Sequence, residues 1–326
     1  MGSASDDLDV VALGRISVDI YPQQTGPLRT VQTYVQALGG SATNVTVAAA
    51  RLGRHAAIVT HIGDDAFAAY VEDALDGFGV DRRWATRRGG GQTPVVFAEL
   101  DPAIDPTLIF YRPDAPDLHL TRQDIDIEAV AGSRLLWTTG TGLSRQPSRD
   151  TTLWLMREYR RRNPSGICIH DLDWRPMLWA ESERGDATGF AAEAIAAATV
   201  VVGNIAEVDM AVGCGGDAES GAQLLLERGV SLAIVKLGAR GAHARSADGT
   251  IASIPAIPIT TVCGAGAGDA FGGALCHGLL AAWPLHRTLS FANAAGAIVA
   301  SQLTCADAMP TAAEVEAVLA EPRGGS

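Results

Sequence analysis

Short runs of aliphatic and β-branched residues recur along the 326-residue chain, with longer alanine-rich stretches of helical period between them. Val10–Leu13, Ala56–Thr60, Leu135–Thr138, Ile167–His170, Thr199–Val202 and Leu232–Lys236 have the length and apolar character of strands covered on both faces. Asn44–Leu52, Ala66–Phe78, Arg149–Arg161, Ala191–Ala198 and Ala218–Arg228 read as helices between them. Such a βαβα rhythm predicts an α/β fold: a doubly wound, mainly parallel sheet with helices on both faces. Two stretches break the rhythm. Asp19–Tyr34 and Gln92–Tyr111 carry strand-like residues and turn signals without a helical period, where a connection should be brief. Each has room for a β-hairpin, and together they predict a small β-sheet lid over one edge of the main sheet. With no repeat and no low-complexity linker, the expectation is one domain over residues 1–326, with lid strands inserted at about 19–34 and 92–112.

Composition narrows the partners. The chain has 25 basic and 37 acidic residues, a formal net charge of −12, which argues against nucleic acid or an anionic membrane surface. No uncharged apolar run reaches the roughly 18 residues of a membrane span, and the start MGSASDDLDV lacks the apolar centre of a secretion signal. The five cysteines form no CxxC pair, so they read as reduced thiols of a cytoplasmic protein. Lys236 is the only lysine; its scarcity alone assigns it nothing.

The strongest local signal is Thr260-Thr-Val-Cys-Gly-Ala-Gly-Ala-Gly-Asp269, followed by the helical stretch Ala270–Trp283. Glycines directly before a helix let backbone N–H groups converge on an anion, where the helix dipole also favours negative charge. An aspartate in the first turn stands beside that anion, placed to take a proton from a hydroxyl. These parts suit phosphoryl transfer. From this window alone, Asp269 as a plain helix cap is an equal reading. A dinucleotide fingerprint is disfavoured, because the spacing is GxGxG and no acid follows about 20 residues on. A second glycine site, Leu38-Gly39-Gly40-Ser-Ala-Thr-Asn44, leads into a helix ending Ala50-Arg51-Leu52-Gly53. Glycine allows close backbone approach, and Asn44 offers both a donor and an acceptor to hydroxyls.

Together, GG-x-x-x-N with its following A-R-L-G, and GAGD-A-F near the C-terminus, resemble the ribokinase-like (PfkB) carbohydrate kinases from Asp9 to about Leu319. The resemblance implies that Asp269 is the base for the sugar hydroxyl and that Gly266, Ala267 and Gly268 form the anion hole. It implies that Asn204 and Glu207 match an N-x-x-E element supporting Mg²⁺ and phosphates, Glu207 reaching the metal indirectly through water or phosphate. Lys236, Gly238 and Gly241 match a nucleotide-side K-x-G-x-x-G stretch, and Asn293 falls where the adenine pocket closes. Asp19, Gly39, Gly40 and Asn44 fall on sugar-contacting positions. The implied cofactors are ATP and Mg²⁺, and the implied partners are small molecules, with a homodimer paired through its lids compatible with the family.

Within that family, three stretches resemble members that act on acid sugars: Gly14-Arg-Ile-Ser-Val-Asp-Ile-Tyr21, Ile109-Phe-Tyr-Arg112 with Asp117 following, and His170-Asp-Leu-Asp-Trp-Arg-Pro-Met-Leu-Trp179. An acid sugar needs cationic partners. Arg112 on a lid strand and Arg175 after a main-sheet strand have the fork geometry for a carboxylate, with Asp171 also at the substrate. The plainer reading puts both arginines in surface ion pairs. The expectation is therefore an ATP-dependent kinase for the terminal hydroxyl of a sugar acid. A kinase for 2-keto-3-deoxygluconate or for a neutral sugar such as fructose or ribose, and a silent sugar- or nucleotide-binding protein, are the other readings. Cys263 stands where many relatives carry Asp or Asn near a monovalent cation. A thiol is a poor ligand for K⁺, which puts K⁺ activation in doubt.

Overall fold

The computed structural model describes residues 8–100 and 106–321. Residues 1–7, 101–105 and 322–326 lie outside the described residues, 101–105 falling within the stretch expected to carry the second set of lid strands. The strands follow in chain order as β1 (Val10–Leu13), β2 (Ser17–Pro22), β3 (Tyr34–Gly39), β4 (Ala56–Ile62), β5 (Asp81–Arg87), β6 (Val95–Glu99) and β7 (Thr107–Tyr111). After them come β8 (Leu135–Thr139), β9 (Ile167–Asp171), β10 (Val200–Asn204), β11 (Leu232–Lys236), β12 (Ala242–Ser246) and β13 (Ile251–Ile254). Nine form one sheet in the order β13-β12-β11-β10-β9-β8-β1-β4-β5, parallel except for the antiparallel β11-β12-β13 edge. The direction of winding reverses between β1 and β8, and ligands of such sheets bind beyond the carboxyl ends of strands near that point.

Alternate residues of the inner strands feed two separate cores. Val10, Ala12, Ile58, Trp137 and Ile234 face the helices Ser41–Arg51, Ala267–Leu280 and Leu285–Ala300. Val11, Leu13, Val59, Leu136 and Val235 face the helices Ser148–Arg162, Ala187–Ala197 and Ala218–Glu227. Burial on both faces is why these strands read as continuous apolar runs. Gly273 sets one spacing that matters below. A Cβ there would lie 2.3 Å from the Ala48 Cβ, so glycine lets Ala267–Leu280 close onto Ser41–Arg51.

The six sequence-predicted strands all appear, within two residues at either end. Two helices begin earlier than their apolar period indicates, at Ser41 and Ala187, and the glycine-led helix begins at Ala267 rather than Ala270. The two insertions build the second sheet, ordered β3-β2-β6-β7. The first hairpin extends past Tyr34: β2 begins at Ser17 and β3 runs on to Gly39, so the predicted stretch was centred on the connecting loop. Side chains alternate across this sheet. Asp19, Tyr21, Ala37, Val96 and Ala98 lie on its inner side, while Tyr34, Phe97 and Tyr111 pack edge to face on its outer side. No helix among the described residues is long and apolar enough to cross a membrane.

Candidate active site

The parallel register aligns chemistry at the strand ends. Thr139 pairs with Asp171 across β8 and β9, and Asn204 pairs with Lys236 across β10 and β11. Beyond these ends lies the start of the helix Ala267–Leu280. Its cap, Gly266, holds φ +79°, and a Cβ there would meet Cys305 Sγ at 2.5 Å, so both backbone and space demand glycine. No side chain caps this helix, and the first-turn N–H groups point out of it with no intrahelical acceptor. Lys236 Nζ lies 3.4 Å from where a Gly268 Cβ would stand. Backbone donors, a helix dipole and an ammonium thus converge on one place, which is the make-up of a phosphate site.

Asp269 is the third residue of that helix. Asn44 Nδ2 donates to its Oδ2 at 2.8 Å and Ser41 Oγ donates to its Oδ1 at 2.9 Å. Both partners sit in the first turn of Ser41–Arg51, brought within reach by the close helix packing at Gly273. Burial raises the Asp269 carboxyl to about 6, with the charges of Asp173 and Asp171 adding to the rise and the two hydrogen bonds opposing it. Asn44 Oδ1 is buried and has no hydrogen-bond partner, leaving an acceptor beside the carboxylate.

Gly39 and Gly40 bring the lid onto this site. A Cβ on Gly39 would overlap the Asp19 carboxylate at 2.1 Å, and one on Gly40, where φ is +106°, would strike Arg15 O at 2.3 Å. Asp19 accepts from Ser17 Oγ at 2.7 Å and Tyr21 OH at 3.3 Å, and burial raises its pKa. Arg112 is buried, its Nη2 donating to Asp117 Oδ2 at 2.5 Å.

Lys236 Nζ contacts Asp171 Oδ2 at 3.3 Å, so the carboxylate of Asp171, expected at the substrate, is paired with a lysine that also lines the cavity beside the glycine loop. Burial opposes the charge on Lys236, but Asp171, Glu207 and Asp269 outweigh it and raise its pKa. Arg175 donates from Nε to Asp173 Oδ1 at 3.0 Å, and the charges of Glu207 and Asp269 also act on it. Asn204 and Glu207 form a reciprocal capping box: Glu207 N–H donates to Asn204 Oδ1 at 2.9 Å, and Asn204 N–H donates to Glu207 Oε2 at 2.7 Å. Burial raises Glu207 to about 7.

Next to the glycine loop opens a cavity of about 510 Å³, bounded by Lys236, Gly238, Gly241, Gly264, Gly268 and Asn293. Ile257, Ile259, Phe271 and Ala297 make its far walls apolar, a shape that suits a flat base at one end and phosphates at the other. Asn293 Nδ2 donates to Pro255 O at 2.8 Å, tying the rim together. The sequence-predicted residues therefore fall into a phosphate group (Gly266, Ala267, Gly268, Lys236), a base group (Asp269, Asn44) and a lid group (Asp19, Gly39, Gly40, Arg112). Sequence reasoning missed Ser41, Asp173 as the partner of Arg175, and Arg15, which lies buried between the lid and the main sheet. Its signals were a charge interrupting the apolar run Val10–Val18 and its place in the Gly14–Tyr21 stretch, which was read as a whole and not residue by residue.

A cavity, an uncapped glycine-led helix and a buried carboxylate held by two neutral donors beside a small second sheet make the arrangement expected of a sugar kinase. Residues 7–312 match the pfkB family of carbohydrate kinases. The chain belongs to that family. A protein of Geobacillus kaustophilus named 5-dehydro-2-deoxygluconokinase is 30% identical over 325 residues, covering 98% of this chain and 96% of its own. Among solved structures, the fructokinase of Xylella fastidiosa with bound ATP matches at TM-score 0.84 and 25% identity, over 96% of this chain and 98% of its own. The fructokinase of Vibrio cholerae with fructose, ADP and calcium ion matches at TM-score 0.84 and 25% identity, over 97% and 100%.

Proposed function

We propose that the protein is an ATP-dependent kinase for the terminal hydroxyl of a sugar acid, 5-dehydro-2-deoxy-D-gluconate of inositol catabolism. The observation that carries the kinase chemistry is Asp269, held by two neutral donors in the first turn of a helix whose N–H groups are left for an anion. Bound Mg·ATP supplies the phosphoryl group. The residues present fit it: Gly266, Ala267, Gly268 and Lys236 cradle the phosphates, and Asn293, Gly238 and Gly241 border the base pocket. Among the described residues no cluster of three or more His, Cys, Asp or Glu side chains could hold a metal by itself. Glu207, whose carboxylate is close enough to Lys236 to act on it, would support the cation indirectly, through water or phosphate, as the family resemblance implies.

In this mechanism Asp269 accepts the proton of the terminal hydroxyl, and a carboxyl near 6 is ionised at neutral pH yet basic enough to take it. Asn44, through its unpartnered Oδ1, orients the sugar. First-turn N–H groups and Lys236 stabilise the charge of the group in transfer. The lid face carrying Asp19 covers the sugar and keeps water from competing for the phosphoryl group. Support for a sugar acid comes from the buried cations beside the lid and from the name of the Geobacillus relative.

The test is an ATP-to-ADP coupled assay with Mg²⁺ over 5-dehydro-2-deoxygluconate, 2-keto-3-deoxygluconate, fructose and ribose. Preference for the first is the expected result. A preferred neutral sugar would refute the acid assignment and leave the kinase standing.

A further inference from the structure

Arg15 lies in the turn between β1 and β2, 7% exposed. Its backbone is fixed on both sides: Thr43 Oγ1 donates to Arg15 O at 3.0 Å, and Gly40 lets that carbonyl pass under the start of Ser41–Arg51. The guanidinium sits over the Phe110 ring, 5.3 Å from its centroid, and so beneath the lid strand that leads to Arg112. Its one side-chain hydrogen bond among the described residues is a long 3.4 Å contact to Ser17 Oγ, and its Nε is buried with no acceptor. An arginine in this position has five donors and little to donate to.

The neighbours share the deficit. Arg112 Nε is buried without a partner, and the Arg112 fork spends its Nη2 on Asp117. Burial, followed by the charge of Arg112, lowers the pKa of Arg15, while Asp173, Asp19 and Asp117 act the other way. Two buried guanidiniums whose charges act against one another, each with a buried Nε left without an acceptor, call for a further anion beside them. Arg175 differs: among the described residues none of its nitrogens is buried without a partner, its Nε is engaged with Asp173, and its electrostatic partners include Glu207 and Asp269.

We propose that Arg15, together with Arg112, binds the carboxylate of the substrate, so that Arg15 is a specificity-determining residue and Arg175 is not. This rests on the sugar-acid reading and names the group that enforces it. A planar carboxylate accepts from two forks at once, which a neutral sugar terminus cannot match.

The experiment compares kcat/KM for 5-dehydro-2-deoxygluconate and for fructose in the wild type, Arg15→Gln and Arg175→Gln. Wild-type preference for the acid is the premise, and a wild type preferring fructose refutes the sugar-acid reading and this inference with it. Given that preference, Arg15→Gln lowers the acid-to-neutral ratio by about tenfold to a hundredfold, mainly through KM for the acid. Arg175→Gln leaves the ratio near the wild-type value even where it slows both substrates. A merely structural role for Arg15 would depress both substrates together and keep the ratio, which would overturn the proposal. So would a ratio that collapses in Arg175→Gln and survives in Arg15→Gln. If thermal melting shows that Arg15→Gln does not fold, Arg15→Lys gives the same readout: one ammonium cannot replace a fork, so the ratio falls at least severalfold, and an unchanged ratio overturns the proposal.

Discussion

Replacing Asp269 with Asn separates a catalytic role from a folding cost. Burial lifts the carboxyl from its ordinary 3.8 to about 6. At about 1.4 kcal/mol per pH unit, that rise corresponds to roughly 3 kcal/mol. A raised folded-state pKa means the folded protein binds the proton more tightly than the unfolded chain. Stability therefore falls as pH climbs from about 4 to about 6, and the full penalty applies above that window. Asparagine is neutral throughout and escapes it. Its new amide must find an acceptor, and Asn44 Oδ1, buried and unpartnered, can turn to provide one. Allowing about 1 kcal/mol for the rearranged hydrogen bonds, Asp269→Asn should be more stable than wild type by about 2 kcal/mol at pH 8. The gain should vanish toward pH 4. Urea unfolding at the two pH values measures it, and the coupled assay on the same samples should show kcat reduced by about 10²- to 10⁴-fold. A variant less stable than wild type at pH 8, or one within tenfold of wild-type turnover, would refute the reasoning.

The wild-type rate should rise with pH around a midpoint near 6, because Asp269 must be ionised to accept a proton. Removing the Asn44 donor by Asn44→Ala should move that midpoint upward, since its hydrogen bond holds the pKa down; a pH–rate profile that does not move would exclude Asp269 as the titrating group. Gly268→Ala places a methyl 3.4 Å from Lys236 Nζ and should raise KM for ATP severalfold, as read by varying ATP at saturating sugar. Exchanging Na⁺ for K⁺ should change kcat less than about twofold, because Cys263 lies buried among Tyr21, Ala37, Ala98 and Cys305 and offers sulfur where K⁺ prefers oxygen.

The inner strands were legible because both faces are buried, which gives Val10–Leu13 or Leu232–Lys236 an uninterrupted apolar run. Edge strands escaped for the converse reason. β5 reads Asp-Arg-Arg-Trp-Ala-Thr-Arg, with only Ala85 buried, so its sequence shows no apolar run. The Asp269 motif was legible because a glycine loop, a helix start and an acid are adjacent in the chain. Ser41 and Asn44 acquire their role only when Gly273 brings a second helix against the first, a relation across more than 220 residues that no local window contains. Arg175 was read as a candidate carboxylate fork, with an ion pair as the plainer reading, and the acid it pairs with was not named. The positive φ of 28° at Asp173 turns the chain so that this acid, two residues earlier, takes the guanidinium Nε for itself.

The partners around Asp269 are those that the proposed role of base requires. Four cations surround the site, and three of them have a carboxylate of their own: Lys236 on Asp171, Arg175 on Asp173 and Arg112 on Asp117. Asp269 has instead an amide and a hydroxyl, with two further acids acting on it. An arginine at hydrogen-bonding distance would drag its pKa well below neutrality and leave it a weak acceptor for a sugar proton. Neutral donors fix the carboxylate as firmly in space while sparing its basicity. The acids at 171 and 173 thus act twice: they pair with Lys236 and Arg175, and their charges add to the rise in the Asp269 pKa, which is what the proposed role of base requires.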